Sequence, residues 1–486
     1  MEYKSIWELN NISETPKLNE NLEVDIVIVG GGIAGITTAY YLRNSNKKIV
    51  LLEKDCVGCG VSKYTTGKLT YLQNGIYPNI AKTRSKSDAL EYFNSQKDAI
   101  KLAKEIIYKH QIDCNLTPIA SYLFAYNDTK KFNEEKKFLI DAECKFEESK
   151  TLPINFPCKK ALYVHDTFCF HPLKFINKLK EIINSSSVHI YEKTLVTDIN
   201  KEDEYYIVKT SSNKIKCKKV IITTNYPFFI LPKLLPLQLK LEKSYLLEAT
   251  KNNEDNFLAL STDKPNYTFR IDNEHFIFGG YSHNLSKEVN YQEKTQEVLN
   301  DFKNHFDNKI NNYWSIHDVI SKDHLPLIGR LNKTHKNVII ATAFHKWGMT
   351  NGILAGKIIS DIILNKENRY IKLFAPERKL AIKGIVNTIT NDSIVGKAFI
   401  DSKINKNKKF YKNVMFKNEN GINIGIYTDE NNIEHKIINR CPHLKSSLIF
   451  DEEAKVWICP CHGSMFDVDG NLLKEPSIIN IKYKKS

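Results

Sequence analysis

The stretch "VDIVIVGGGIAGITTAYYLRNSNKKIVLLEK", residues 24–54, decides the fold of the first part of this chain. Its opening run, Val24–Val29, is apolar and β-branched apart from Asp25, the pattern of a buried strand. Gly30-x-Gly32-x-x-Gly35 follows, then a helical segment with Ile36, Ala39, Tyr40 and Leu42 on its inner side. A second apolar strand, Ile49–Leu52, ends in Glu53. The three glycines serve different physical ends. Gly30 allows a tight turn, Gly32 lets a pyrophosphate approach the backbone, and Gly35 permits close helix–strand packing. The helix N-terminus, with Ile33 and Ala34 in its first turn, then faces the phosphates, and Glu53 is placed for ribose hydroxyls. Three glycines alone also suit an ordinary turn of an α/β domain. Strand, glycines, helix, strand and acid at this interval read as a dinucleotide-binding unit.

A second segment specifies the nucleotide. "DHLPLIGR" (323–330) precedes a strand, "NVIIATAF" (337–344), and then "HKWGMTNGILAGKIISDII". In the last stretch Ile353, Leu354, Ile358, Ile359, Ile362 and Ile363 form one helical face, and Gly348, Met349 and Thr350 open the helix. This resembles the C-terminal flavin motif of the D-amino-acid-oxidase-like family, which includes glycine oxidase and sarcosine oxidase. The resemblance implies FAD, with this helix N-terminus at the flavin pyrimidine ring, where reduction places negative charge. "GVSKYTTGKLT" (60–70) resembles the loop passing the isoalloxazine, adding Thr66, Gly67 and Lys68 to the expected contacts, and "KKVIITTNYPF" (218–228) resembles the strand returning beneath the FAD. The likeness spans almost all of residues 1–370; one departure is Ala343, where the family usually has glycine. "FGGYS" (278–282) lacks a third glycine and reads as a β-hairpin edge, so no separate NAD(P)H domain is expected.

Near the other end, "CPH" (441–443) and "CPCHGS" (459–464) lie fifteen residues apart, counted between His443 and Cys459. A zinc finger puts two cysteines on one knuckle and two histidines on the other, and a zinc knuckle remains the alternative. Here each loop offers one Cys and then one His, so facing loops can give both thiolates to one iron and both imidazoles to a second. The stretch resembles the Rieske family, which implies a [2Fe–2S] cluster on Cys441, His443, Cys459 and His462. Respiratory members carry a disulfide between the two loops. Here Lys445 and Ser446 stand at that place in the first loop, so Cys461 is expected to be a free thiol. Phe466 stands where those members have a potential-raising tyrosine, and with Ser464 alone the expectation is a low Rieske potential.

The remaining features bound the function. At 486 residues the chain is long enough for two or three domains. The net charge of +14 suggests nucleic acid, but only seven of the 70 basic residues are arginine and the lysines are scattered, with no basic stripe interleaved with aromatics. No nucleic-acid partner is expected. The start, "MEYKSIWELN", has no signal-peptide pattern, and no apolar run is long enough for a membrane span. Ten cysteines, four of them scattered singly before residue 200, read as reduced thiols of a cytoplasmic protein. Cys56-x-x-Cys59 reads either as ordinary loop cysteines or as a redox-active pair. Arg270 reads as a structural arginine or a clamp for a substrate carboxylate, and His345 and Lys346 as solvated loop residues or stabilisers of reduced flavin.

The expected architecture is an α/β FAD-binding domain of Rossmann-like parallel sheet, drawn from about residues 20–90, 150–235 and 320–370. A mixed α+β substrate domain comes chiefly from 236–320, with "YLLEAT", "YTFRI" and "HFIFGG" as strands; "HPLKFINKLKEII" (171–183) reads separately as an amphipathic helix of core packing. A partly helical linker, 371–408, leads to a small all-β Rieske domain, 409–486. The expected function is oxidation of an amine or amino acid by hydride transfer to flavin, with electrons leaving singly through the cluster to a one-electron acceptor. A cluster-fed flavin reductase and a non-enzymatic redox sensor or electron-transfer protein are the alternatives. A Rieske oxygenase is excluded, because those carry a large iron domain after the Rieske domain and only 24 residues follow His462.

Overall fold

The computed structural model describes the chain except residues 1, 10–13, 185–186, 228–238, 286–290, 379–412, 420, 443–445, 453, 460–463, 475–476, 478 and 484–486. The fingerprint stretch folds as its sequence dictates: strand β1 (Leu22–Val29), helix α1 (Ile33–Leu42) and strand β2 (Ile49–Leu52). β1 is flanked in parallel by β2 and by β3 (Lys214–Ile222), and β2 by Val188–Tyr191. The second half of β3 also pairs in parallel with Val338–Thr342, the strand that delivers the chain to helix α2 (Gly348–Ile363). Antiparallel strands 196–202 and 205–210 extend the sheet from the first half of β3.

Gly30 and Gly35 do what the fingerprint requires. Gly30 has φ +102°, in the region that favours glycine. A Cβ on Gly35 would lie 1.9 Å from the Gly30 carbonyl oxygen, so no side chain fits between α1 and the turn. The contact between α1 and α2 is as close. A Cβ on Gly352 would meet Ile33 Cγ2 at 2.5 Å, and one on Gly356 would meet Thr37 Oγ1 at 2.5 Å. The Thr37 hydroxyl in turn donates to the Gly352 carbonyl at 3.0 Å. Two helices from opposite ends of the oxidoreductase half are thereby locked together near their N-termini.

The second sheet has nine strands in the order 2–3, 310–321, 239–249, 276–284, 268–271, 257–261, 121–125, 160–164, 147–149. Two expectations are corrected here. Strand 160–164 belongs to this sheet and not to the FAD-domain segment 150–235 in which it was placed, because it pairs antiparallel with 121–125. The "FGGYS" segment is not an edge. Strand Phe276–Asn284 does form a hairpin with Thr268–Ile271, but its other side pairs with strand β4 (Leu239–Ala249), so it lies inside the sheet. Single-sequence patterning cannot see which strands arrive from far along the chain to cover an edge. The amphipathic helix predicted at 171–183 is present as Pro172–Asn184.

The C-terminal part is all-β: a three-stranded sheet (414–419, 422–428, 434–438) and a four-stranded one (449–451, 456–458, 465–466, 472–474). Of the expected linker, Ile371–Phe374 is helical, and the remainder from 379 lies outside the described residues. Val456 and Ile458 enter the same apolar cluster as Tyr245, Leu247 and Leu285 of the larger domain. Beside them Lys243 of β4 forms an ion pair with Asp451, both side chains about 1% exposed. The C-terminal domain is thus fixed to β4. Among the described residues no helix is long and apolar enough to cross a membrane.

The α1–α2 contact is directly testable. Gly356→Val forces a branched side chain into the Thr37 backbone and is expected to destabilise the protein by about 2–3 kcal/mol, read as a lower thermal unfolding midpoint. Gly348→Ala, whose Cβ meets nothing within 4 Å, should leave the midpoint of the cofactor-free protein unchanged.

Candidate functional site

α1 starts at Gly32 and α2 at Trp347, and neither N-cap has a side-chain cap hydrogen bond. N–H groups without an intrahelical partner and the helix dipole make both ends favourable for negative charge. Both ends also face open space: a Cβ on Gly32 would approach only Ser62 Oγ, at 3.3 Å, and one on Gly348 would meet no atom within 4 Å. Beside the first, Glu53 accepts from the N–H groups of Gly31 (2.6 Å) and Asp55 (3.0 Å), which holds its carboxylate at the end of β2. Ser62 Oγ accepts from Ile33 N–H at 3.1 Å and ties the following loop to α1. Ala34 is buried in the same first turn. Two glycine-lined helix ends, with a carboxylate beside the first, fit a dinucleotide.

The loop read as passing the isoalloxazine is held by its carbonyls. Ser5 Oγ donates to Lys63 O, Trp314 Nε1 to Tyr64 O (3.0 Å), Trp7 Nε1 to Thr65 O, and Arg270 Nη1 to Thr66 O (2.8 Å) and Gly67 O (3.1 Å). Every carbonyl from 63 to 67 is therefore gripped by a side chain from the N-terminal segment or the larger sheet. Gly67 has φ +64°, and a Cβ there would lie 2.3 Å from Arg270 Nη1, so the turn admits only glycine. Arg270 is the structural arginine of its two readings. Besides this loop it binds Phe170 O (2.9 Å) and Asp272 (2.6 Å), and it packs over Trp7 at 4.8 Å. Lys68 does not offer its amine to a cofactor at the loop. It is buried with Nζ on Thr268 Oγ1 at 2.5 Å, and burial, with Arg270 nearby, holds its pKa well below the usual lysine value. Ser5, Trp7 and Trp314 were not found by sequence reasoning, because their partners lie far along the chain.

The approach to α2 is strained. Ala343, His345 and Lys346 have φ of +60°, +52° and +70°, which costs about 1 kcal/mol or more for each residue with a Cβ. The left-handed backbone at 343 is the physical reason a glycine suits that position. His345 is not solvated: it is buried, and its Nε2 accepts from Ser321 N–H at 2.9 Å. Burial, with His324 beside it, holds its pKa well below the usual histidine value, so it is a neutral anchor. Lys346 donates to Ser282 Oγ at 2.6 Å and pairs with Glu242 at 3.1 Å. Burial raises the Glu242 carboxyl, but Lys346 and Lys240 outweigh it and bring it down to about 2.

Behind the first turn of α2 lies a closed ring of buried side chains. Gln73 donates to Gln96 (2.9 Å), Gln96 to Asn351 (2.9 Å), Asn351 to Tyr92 (3.2 Å) and Tyr92 back to Gln73 (2.9 Å). Thr350 Oγ1 donates into this ring at Gln96 (2.7 Å), and Met349 packs into the core. A fully satisfied buried network of this kind fixes one geometry. It sets the direction in which the helix end points.

Cys56 and Cys59, read as loop cysteines or a redox-active pair, form a disulfide, unlike the reduced thiols expected of the scattered cysteines. The loop it closes backs onto the glycine turn, with Gly58 N–H donating to Gly31 O at 3.0 Å. A three-residue separation brings the sulfurs together because Cys59 N–H turns back to Cys56 O at 3.0 Å.

In the C-terminal domain, Cys441 and Cys459 are both fully buried. Each opens a loop closed in the same way: Cys441 N–H donates to Ser446 O and Cys459 N–H to Ser464 O, both at 2.8 Å. Ser446 Oγ lies 3.1 Å from Cys459 Sγ, which brings the two loops face to face. His443, Cys461 and His462 lie outside the described residues. Two matching loops, each presenting a buried sulfur, fit a two-iron cluster shared between them.

An α/β dinucleotide fold with two convergent helix ends, joined to a small β domain with paired cysteine loops, defines a flavoprotein with a Rieske domain. The chain belongs to the FAD dependent oxidoreductase family, whose pattern matches residues 25–362, and the Rieske [2Fe-2S] domain matches residues 402–483. It binds FAD and a [2Fe–2S] cluster. It is 30% identical, over 99% of its length and 97% of the relative's, to YhfW of Bacillus subtilis (strain 168), whose name describes a Rieske 2Fe-2S iron-sulfur protein. It is 22% identical to the gamma-glutamylputrescine oxidoreductase of Escherichia coli (strain K12), over 74% of this chain and 88% of that one. Among solved structures, glycine oxidase from Geobacillus kaustophilus superposes with a TM-score of 0.62 at 16% identity, covering 74% of this chain and all (100%) of that one. L-amino acid deaminase from Proteus vulgaris gives 0.60 at 17%, covering 76% and 97%. These likenesses carry the fold.

The open space at Gly32 yields a prediction. Gly32→Val fills the approach to the α1 N-terminus and is expected to abolish FAD retention while the chain stays folded. Flavin absorbance and circular dichroism of the purified variant check both halves; full FAD occupancy would contradict the assignment.

Proposed function

We propose that this oxidoreductase oxidises an amine, or an amino acid, at the carbon next to nitrogen, and that the electrons leave one at a time through the Rieske domain to a one-electron acceptor. The observation that carries this reading is a pair of neighbours on β4. Glu242 binds Lys346 at the threshold of α2, and the next residue, Lys243, points to the opposite face and holds Asp451 of the C-terminal domain. One strand therefore contacts both the segment leading into α2 and the C-terminal domain, and removing either partner of the buried pair leaves an unpaired charge costing about 3–5 kcal/mol. Such docking suits repeated electron exchange between the two sites.

FAD, when bound, supplies acceptance of a hydride as a two-electron step, and the cluster supplies single-electron transfer. The chain's own residues supply binding and orientation. We assign Gly30, Gly32, Ile33, Ala34, Gly35 and Glu53 to the adenosine and pyrophosphate end. Thr66, Gly67, Gly348, Met349 and Thr350 are assigned to the ring end, where the α2 dipole favours negative charge. Cys441, His443, Cys459 and His462 are the proposed cluster ligands. Lys346 and the hydroxyls of Ser282 and Ser244, which lie 3.0 Å apart, form the polar edge beside α2. With Arg270 committed to Asp272 and three carbonyls, no carboxylate clamp comes from that residue, which supports the amine side of the substrate class. We place the protein in the cytoplasm.

Two measurements test this. Anaerobically purified protein should hold about two irons per chain and little zinc; stoichiometric zinc without iron would overturn the ligand assignment. Anaerobic mixing with amines, polyamines and amino acids should bleach the flavin, and His462→Ala should preserve that bleaching while lowering multiple turnover with an artificial one-electron acceptor. Loss of bleaching in His462→Ala with flavin still bound would mean that electrons enter through the cluster. No bleaching by any such compound in the intact protein would favour a sensor or carrier role.

A further inference from the structure

The sequence treats Ser446 as a deficit, since it stands where respiratory relatives have a cysteine of the inter-loop disulfide. The structure places it differently. Ser446 is fully buried, its carbonyl accepts from Cys441 N–H at 2.8 Å, and its hydroxyl lies 3.1 Å from Cys459 Sγ. One residue thus touches both proposed sulfur ligands, through its backbone in its own loop and through its side chain across to the other.

We infer that Ser446 is a tuning residue whose hydroxyl donates a hydrogen bond to the Cys459 sulfur and raises the reduction potential of the cluster. The donor follows from protonation. A cysteine that ligates iron is a thiolate and has no proton to give, so the proton of this pair belongs to the hydroxyl. A donor on a ligand sulfur draws off negative charge. Reduction adds an electron to the cluster, so the hydrogen bond strengthens on reduction and favours the reduced form. Ser464 lies in the second loop, where its hydroxyl oxygen accepts from Ser477 N–H at 2.8 Å and its carbonyl from Cys459 N–H. Phe466 has no hydroxyl to offer. Ser446 therefore supplies from the first loop a donor of the kind that Phe466 lacks in the second. The potential is higher than Ser464 and Phe466 alone imply, which favours electron flow from flavin to cluster.

This inference rests on Cys459 being a cluster ligand, and the test separates the two. In the full-length protein, iron content and the electron paramagnetic resonance signal of the reduced cluster report whether the ligand assignment holds. The midpoint potential from a redox titration of that signal reports Ser446. Ser446→Ala with the cluster retained should lower the reduction equilibrium constant about tenfold, which is about 59 mV for a one-electron couple. Ser446→Thr, which keeps the hydroxyl, should stay near the wild-type midpoint. An unchanged midpoint in Ser446→Ala, or an equal fall in Ser446→Thr, would overturn the inference. If Ser446→Ala takes up no iron, Ser446→Thr is compared with Ser446→Val, alike in shape and lacking only the hydroxyl. Equal midpoints in that pair, or failure of both to take up iron, would also overturn it.

Discussion

The close crossing of α1 and α2 is the constraint on which the oxidoreductase half depends. Gly352 and Gly356 of α2 press against Ile33 and Thr37 of α1 at distances that leave no room for a Cβ. That contact joins an element near residue 33 to one near residue 348 and brings two helix N-termini close together. Each helix end alone attracts negative charge weakly, by about 0.3–1 kcal/mol at an exposed site. Their proximity adds the two weak contributions at one place. The hydrogen-bonded ring of Gln73, Gln96, Asn351 and Tyr92 then stops α2 from turning on its axis.

The larger sheet acts as a frame in both directions. Toward the dinucleotide site it sends Arg270 and Trp314, which with Ser5 and Trp7 grip the carbonyls of 63–67. Toward the C-terminal domain it sends Lys243 to the buried carboxylate of Asp451. Because side chains alternate along a strand, consecutive residues of β4 can serve the two sites without flexing the backbone. Desolvating Lys243 and Asp451 is expensive, and the pair is better read as fixing the register of docking than as a source of stability. Apolar contacts of Val456 and Ile458 with the Tyr245 cluster supply the burial.

The glycine fingerprint, the α2 face and the paired cysteine loops were legible because they are local. Each is a short run whose spacing directly encodes a turn, a helical face or a ligand pair. Arg270 was legible only as an alternative: its charge was plain, but its carbonyl partners come from two distant segments, 66–67 and 170. Lys68 was misplaced because the sequence gives its position in the loop and not the direction of its side chain. Cysteines 56 and 59 were legible only as loop cysteines or a redox-active pair, and it is the local turn that puts them in bonding distance.

By itself the sequence determined the two domain classes, the cofactors they carry and the positions of the local motifs, since strand, turn and helix patterns follow from residues only a few places apart. Tertiary structure alone decided which strand covers which edge, which side chains hold the 63–67 loop, and that Ser446 meets Cys459. The partners in these contacts lie from 13 to 250 residues apart along the chain. Packing selects such pairs through shape and burial, and periodicity in one sequence does not record them.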